Sequence, residues 1–247
     1  VIVSGSSDVW NIDYRPLIKK HNNSSNPITL VTKKVEEAEE HRGFFITKDE
    51  DGQVINISNR AEGNADYFID CFIADRKFLL DFMNWFANLD YLDVMDIIAN
   101  NLDKFNVGTY EFYGYIGKIS KLTDYYNVSM ELLDKTVMNE LFGTDRTIYT
   151  KVQDEPPTGF RLGSRVKNSL VAAGCVIEGT VENSIIFRST NVEKGAVIKN
   201  SIIMQHGAVE TGALIDRAVL DKNVTVTEGV HVIGGKKPVV IGKEKTI

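Results

Sequence analysis

"NSIIFRSTNVEKGAVIK" (183–199) runs directly into "NSIIMQHGAVETGALID" (200–216), and these two stretches decide the fold. The shorter unit "NSLVAAGCVIEGTVE" precedes them from 168, and "RAVLDKNVTVTEGVHVI" follows from 217. Asn-Ser plus two aliphatics therefore recurs at spacings of 15 and then 17 residues, with Arg217-Ala218 standing in its place in the fourth unit. Within each unit a glycine or other small residue falls near every sixth place, beside an aliphatic. Repetition at a fixed period marks a solenoid, whose units contact only their neighbours. Three short strands joined by tight turns make a triangular coil of about 18 residues, with one aliphatic per side pointing inward. Glycine and asparagine suit the corners, because they accept left-handed backbone angles that β-branched residues resist.

This pattern resembles the hexapeptide-repeat, left-handed parallel β-helix. No single coil closes a core, so stacking is obligatory, and each inward Val or Ile contributes roughly 1.5–3 kcal/mol when fully buried. An ordinary β-sandwich would show longer hairpin turns than this segment contains.

Upstream of the repeats the periodicity is different. "ITLVTK" (28–33) and "YFIDCFIA" (67–74) read as buried strands. "GFFITKDEDGQVINIS" (43–58) reads as a hairpin, with Asp51-Gly52 fitting a type I′ turn. "RKFLLDFMNWF" (76–86) and "LTDYYNVSMELLDKTVMNELF" (122–142) carry apolar residues at helical spacing. Val1, Ile2 and Val3 read as the end of a buried strand, and Ser4-Gly5-Ser6-Ser7 as the loop leaving it. Pro156-Pro157, in acidic and glycine-containing surroundings, suits a domain linker. Two domains are expected: residues 1–150 as the C-terminal part of an α/β domain, and 151–247 as the β-helix.

The composition is that of a globular protein: 247 residues, 43% hydrophobic and 25% charged. A net charge of −6 gives no general attraction to nucleic acid or anionic membrane, and Lys236-Lys237 reads as ordinary solvated surface. No apolar run approaches the roughly 18 residues that span a bilayer. The first residues lack the basic region of a signal peptide; a chain beginning in mid-strand is expected to be a fragment or to lack its first segment. Cys71 and Cys175 are too far apart for metal-ligand spacing, and reduced, buried thiols are expected, which favours the cytoplasm.

Two stretches upstream of the repeats carry a specific resemblance. "VSGSSDVWNIDY" (3–14) resembles the "SGDHIYKMDY" type of segment of bacterial glucose-1-phosphate adenylyltransferases. "GYIGKISKLTDYYNVSMELL" (114–133) matches their "GYWKDVGTIDSYWEANMDLL" type without a gap. The hairpin, the strands, "VMDIIANNLDKF" (94–105) and the β-helix fall in the family's order. The resemblance implies an α/β nucleotidyltransferase-like (Rossmann-like) domain, incomplete at its N-terminus, followed by a left-handed parallel β-helix. The family joins glucose 1-phosphate to ATP, giving ADP-glucose and pyrophosphate. Two carboxylates hold magnesium for that chemistry, neutralising phosphates and aligning the in-line attack.

At both carboxylate positions the chain departs from the family. Counting forward from Ser4-Gly5 puts the first aspartate at Ser6; counting back from Asp13-Tyr14 puts it at Ser7. Neither count reaches Asp8, which reads as a solvated loop carboxylate or a helix cap. The second aspartate position is Lys118, whose charge would repel a divalent ion. The family's Glu-Lys-Pro becomes "NISNRAEGN" (56–64), where Asn59-Arg60 offers only a shifted basic group. Its Ser-Met-Gly becomes Phe68-Ile69-Asp70, a ring replacing a hydroxyl and a carboxylate replacing a glycine.

The pattern of losses resembles the GlgD-type regulatory variant of the family. It implies no catalytic residue and no metal in this chain, with magnesium belonging to the catalytic partner. The implied partner is the catalytic adenylyltransferase subunit in a hetero-oligomer such as a tetramer, with a homo-oligomer also open and no nucleic acid or membrane partner. An active sugar-1-phosphate nucleotidylyltransferase with displaced ligands is the alternative, using Asp8 and Asp124, although Asp124 also fits a helix-start cap. A hexapeptide acyltransferase would need a histidine base, and His206 and His231 both read as turn positions. Arg161 and Arg165 near the junction read as solvated groups or as contacts for an anionic effector.

Overall fold

The computed structural model describes residues 1–35, 43–60, 66–85, 94–151 and 153–247. Contacts divide the chain into two compact units, Val1–Gly117 and Lys118–Ile247.

The first unit is a mixed sheet with helices. It contains β1 (Ile2–Ser4), β2 (Asp8–Val9), α1 (Tyr14–Asn22), β3 (Ile28–Lys33), β4 (Phe45–Lys48) and β5 (Val54–Ser58). Then come β6 (Asp66–Ala74), α2 (Arg76–Trp85), α3 (Val94–Ala99) and β7 (Val107–Glu111). The strand order is β5-β4-β6-β3-β7, with β1 also pairing β6. Among the described strands of this sheet, β3 and β7 pair in parallel, while β6 runs antiparallel to β1, β3 and β4. Both faces are covered. One carries Leu30, Ile46, Phe68, Phe72 and Ile98, the other Leu17, Val31, Phe45, Tyr67 and Cys71. That accounts for the near-continuous burial of β3 and β6 and for their apolar sequences.

Three readings of this unit change. The opening strand is an edge rather than a buried element: Val1 and Val3 are exposed, and only Ile2 packs on the core. The β4–β5 turn is not type I′, since Gly52 takes φ +79° while Asp51 is absent from the residues at positive φ. Gly52 N donates to Asp49 O at 3.1 Å, with a register shift after Thr47, so one left-handed glycine closes a type I turn with a bulge. Helix α1 carries too few apolar residues for a helical period to show in the sequence. Its signals are the N-cap Asp13, which accepts from Arg15 N at 2.9 Å, and Pro16 in its first turn.

The second unit begins at Lys118, the last residue of β8 (Gly117–Lys118), and continues through α4 (Leu122–Glu131) and α5 (Lys135–Phe142). The single helical run 122–142 is thus two helices. Asp134 breaks it by capping α5, accepting from Thr136 N at 2.7 Å, and that backbone bond holds its carboxyl below the usual range.

Five coils of a hexapeptide-repeat left-handed β-helix follow, seen as three parallel sheets of five strands each. Their inward columns include Ile177, Val192, Val209 and Val226 on one side, Val181, Ile198, Ile215 and Val232 on the next, and Ile186, Ile203 and Leu220 on the third. The recurring Asn-Ser has a defined structural role. Asn168, Asn183 and Asn200 turn the corner at φ +44° to +46°, and Arg217 does so at +51° in the fourth unit. The serine after each asparagine donates to the carbonyl two residues back, as Ser184 does to Glu182 O at 2.7 Å. It then accepts from the next coil: Ser201 N reaches Ser184 Oγ at 3.1 Å, and Ala218 N reaches Ser201 Oγ at 3.0 Å. Ser184 and Ser201 are fully buried, so this ladder pairs polar groups that water cannot reach.

The doubled aliphatic after Asn-Ser also has a cause. The second residue points inward, while the first faces out. Ile185, Ile202 and Val219 are nevertheless buried, because Tyr126 of α4 packs on them together with Tyr125, Met130 and Leu133. Tyr126 Oη donates to Asn200 O at 2.6 Å. The sequence changes period at 143–160, whereas contacts divide earlier, at Gly117/Lys118, because α4 packs with the coils. The Pro156-Pro157 segment is likewise docked: Gly174 N donates to Pro156 O at 2.7 Å, and Ser189 Oγ to Glu155 at 3.1 Å.

The coils differ in length at two places. The turn between Val176–Ile177 and Thr180–Glu182 is two residues shorter than its successor, and Gly179 makes this possible. A Cβ there would lie 2.4 Å from Ala196 O. Before the last coil, Gly234–Pro238 widens the spacing, so that Val219 pairs with Val240; Lys236 and Lys237 are exposed in this insertion.

Candidate functional site

The loop following β1 is built around Gly5. Gly5 N donates to Asp70 O at 2.8 Å, where β6 bulges and Asp70 takes φ +50°. A Cβ on Gly5 would lie 1.6 Å from Asp70 Oδ2, so the Asp70 side chain occupies the space above the glycine. Ser6 and Ser7 form the bend that follows. Asp8 is in β2, and both its carboxylate oxygens are shielded from solvent. It is therefore neither a solvated loop carboxylate nor a helix cap; Asp13 caps α1 instead, and also holds the Arg15 guanidinium at 2.7 Å.

Tyr67, Cys71 and Tyr14 complete this region. Burial pushes the Tyr67 phenol up, and the negative charges of Asp8 and then Asp70 add to it. Burial also raises the Cys71 thiol to about 12, with Asp70 adding to the rise and a hydrogen bond with Ser4 opposing it. The Tyr14 phenol is raised mainly by burial. Trp10 packs edge-on against Phe112 at 5.5 Å and Tyr14 at 6.3 Å, walling the region with rings. Lys33 Nζ donates to Gly114 O and lies 5.9 Å from the Phe112 ring centre.

The other positions singled out in the sequence are spread across the chain. Phe68 is buried in the opposite core face from Tyr67. Asn59-Arg60 forms an exposed turn with Ser58, Arg60 N donating to Ser58 Oγ at 3.2 Å; the remainder of that stretch, 61–64, lies outside the described residues, as does Phe86. Lys118 ends β8 and opens the second unit. Asp124 accepts from Ser120 N at 3.2 Å and Lys121 N at 3.1 Å, so its carboxylate caps α4. Arg161 and Arg165 are exposed. His206 sits at an exposed corner with φ +59°, whereas His231 is on a strand, His231–Ile233, and not in a turn. Cys71 and Cys175 are both free and buried.

Magnesium prefers carboxylate and phosphate oxygens in octahedral array. Serine hydroxyls, at the bend where the resemblance implies one carboxylate, do not suit it, and Lys118, where the resemblance implies the other, carries a charge that repels a cation. Among the described residues no group of three or more His, Cys, Asp or Glu side chains is placed to hold a metal ion, and no helix is long and apolar enough to cross a membrane.

Stacked coils with asparagine and glycine corners define the second unit as a hexapeptide-repeat domain. Residues 158–238 match the family described as "GlmU-like, C-terminal hexapeptide". Over nearly its full length the chain is similar to the glycogen biosynthesis protein GlgD of Bacillus subtilis, 35% identical across 98% of this chain and 62% of that protein. It is 40% identical to the GlgD protein of Geobacillus stearothermophilus across 53% of this chain and 38% of the relative. The glucose-1-phosphate adenylyltransferase of the latter organism is 27% identical across 80% of the chain and 53% of that enzyme. The chain thus spans 62% or less of the length of these curated relatives.

Proposed function

We propose that this chain acts in glycogen biosynthesis in the cytoplasm, as a regulatory and non-catalytic subunit of glucose-1-phosphate adenylyltransferase. The observation that carries this reading is the opening loop. Ser6 and Ser7 occupy its bend, and nearby carboxylates of the same unit are committed elsewhere, Asp70 over Gly5 and Asp13 to α1 and Arg15; in the second unit Asp124 caps α4. The similarity to two GlgD proteins supports the pathway. A subunit of this kind changes its neighbour only by binding the neighbour's states with different affinity. The β-helix, whose outer faces and strand edges suit coil-to-coil association, is the proposed assembly surface.

One observation favours the alternative of an active sugar-1-phosphate nucleotidylyltransferase with displaced ligands. Asp8 and Asp70 both act on Tyr67, so two carboxylates share one neighbourhood. An assay of ADP-glucose formation separates the two. The chain alone, with magnesium, ATP and glucose 1-phosphate, should give no turnover. Mixed with a catalytic homologue, it should co-elute in one complex and change kcat or KM. Turnover by the chain alone that is lost in Asp8→Asn establishes the alternative. Neither co-elution nor a kinetic change removes the regulatory reading.

A further inference from the structure

A polar cavity of about 300 Å³ lies in the first unit, where the tip of the β4–β5 hairpin meets the end of α1 and the start of β7. Its lining includes Lys20, Asn26, Lys48, Asp51, Gln53 and Gly108. Two side-chain acceptors here, Asn26 Oδ1 and Gln53 Oε1, are buried and have no hydrogen-bond partner among the described residues. A buried oxygen left unsatisfied in this way is costly, so each calls for a donor. The amide of Asn26 is held against β7: a Cβ on Gly108 would lie 2.5 Å from Asn26 Nδ2. Gln53 is fixed by the hairpin turn, its N–H donating to Asp49 Oδ1 at 2.8 Å.

The charges around this cavity select the ligand. Lys48 is paired with Asp66 at 2.5 Å, and the lining also holds one further ammonium, Lys20, and one carboxylate, Asp51, whose charges cancel in sum. With the lining close to neutral, no surplus cation remains to offset a phosphate. Two orphaned acceptors call for donors, and the amide and ammonium N–H groups beside them can donate in return. A hydroxyl group meets both at once. The volume is at the lower end of the range of about 300–1,000 Å³ for small-molecule sites, suiting one ring rather than a dinucleotide.

We infer that this cavity is a saccharide site, in which Asn26 and Gln53 accept hydrogen bonds from the hydroxyls of one neutral sugar ring. The inference stands whether or not the chain is a regulatory subunit. The ring is either a free monosaccharide or the end of a glucan, and the test distinguishes these. Isothermal titration of the 247-residue chain with D-glucose, maltotriose and inorganic phosphate is the measurement. Saturable binding of glucose as tight as that of maltotriose identifies a monosaccharide pocket; tighter maltotriose identifies a chain end. In either case Gln53→Ala should weaken binding about 5–10-fold, as losing one hydrogen bond predicts. Gln53→Glu, which keeps an acceptor oxygen, should weaken it less. The inference is overturned if neither sugar binds to a cooperatively folded chain, since water alone then fills the cavity. It is also overturned if sugar affinity is unchanged in both Gln53→Ala and Asn26→Ala, or if phosphate binds in preference to sugar.

Discussion

The β-helix and the mixed sheet stabilise themselves in opposite ways. Each coil repeats the same small devices: a left-handed corner, a serine bridging two coils, an inward aliphatic. The sheet uses devices that occur once, each made by residues far apart in sequence, such as Gly5 under Asp70 and Lys48 against Asp66. Repetition makes a device visible in the sequence and spreads its cost over many copies. A device made once is invisible until the chain folds, and its loss has no neighbour to soften it.

The comparison would be broken most sharply at Lys48. Asp66 is 2% exposed and relies on that ammonium, so Lys48→Ala should cost about 3–5 kcal/mol by leaving a buried carboxylate uncompensated. Urea denaturation measures this, and a loss below 1 kcal/mol would show the pair to be dispensable. In the β-helix, Ile203→Ala should cost about 2–5 kcal/mol in the same experiment, because Ile203 is fully buried in the inward column.

Ser201→Ala tests the ladder itself. It strands Ala218 N inside the coil stack and should cost about 1–3 kcal/mol. Ser169→Ala, in the exposed first coil, should cost distinctly less, and equal costs would mean that burial is not what gives the ladder its value.

A different kind of effect is a pH dependence carried by one thiol of the sheet. Folding raises Cys71 from 9.0 to about 12. The unfolded chain therefore loses this proton first, and stability falls as pH rises through the window between those values. Cys71→Ser should reduce the slope of unfolding free energy against pH there by up to one proton. A slope unchanged by the substitution would place the titration elsewhere, Tyr14 and Tyr67 being other raised groups of the same unit.

Much of this architecture could be read before folding was considered. "ITLVTK" became β3 residue for residue, and the Asn-Ser spacing predicted the corners down to the substitution of Arg217 for asparagine. Helix α1 was missed because its apolar content is low, although Asp13 and Pro16 marked its start. Of the candidate site, counting from neighbours reads Ser6, Ser7 and Lys118, since that needs only the local chain. It cannot read the shielding of Asp8, which depends on β2 and which the sequence alone presents as a solvated loop carboxylate or a helix cap.

The sequence alone determined the coil, because every turn of a solenoid is a local decision repeated. Corner angles depend on single residues, and a 17-residue spacing brings like residues into register with no further information. Tertiary structure decided what each surplus residue is for. Only packing could show that the first aliphatic of each "SII" faces outward and is buried beneath Tyr126. Only packing could show that Asp70 stands over Gly5, or that the amides of Asn26 and Gln53 reach the same cavity. Contacts of that kind join positions tens of residues apart, and no periodicity in the chain encodes them.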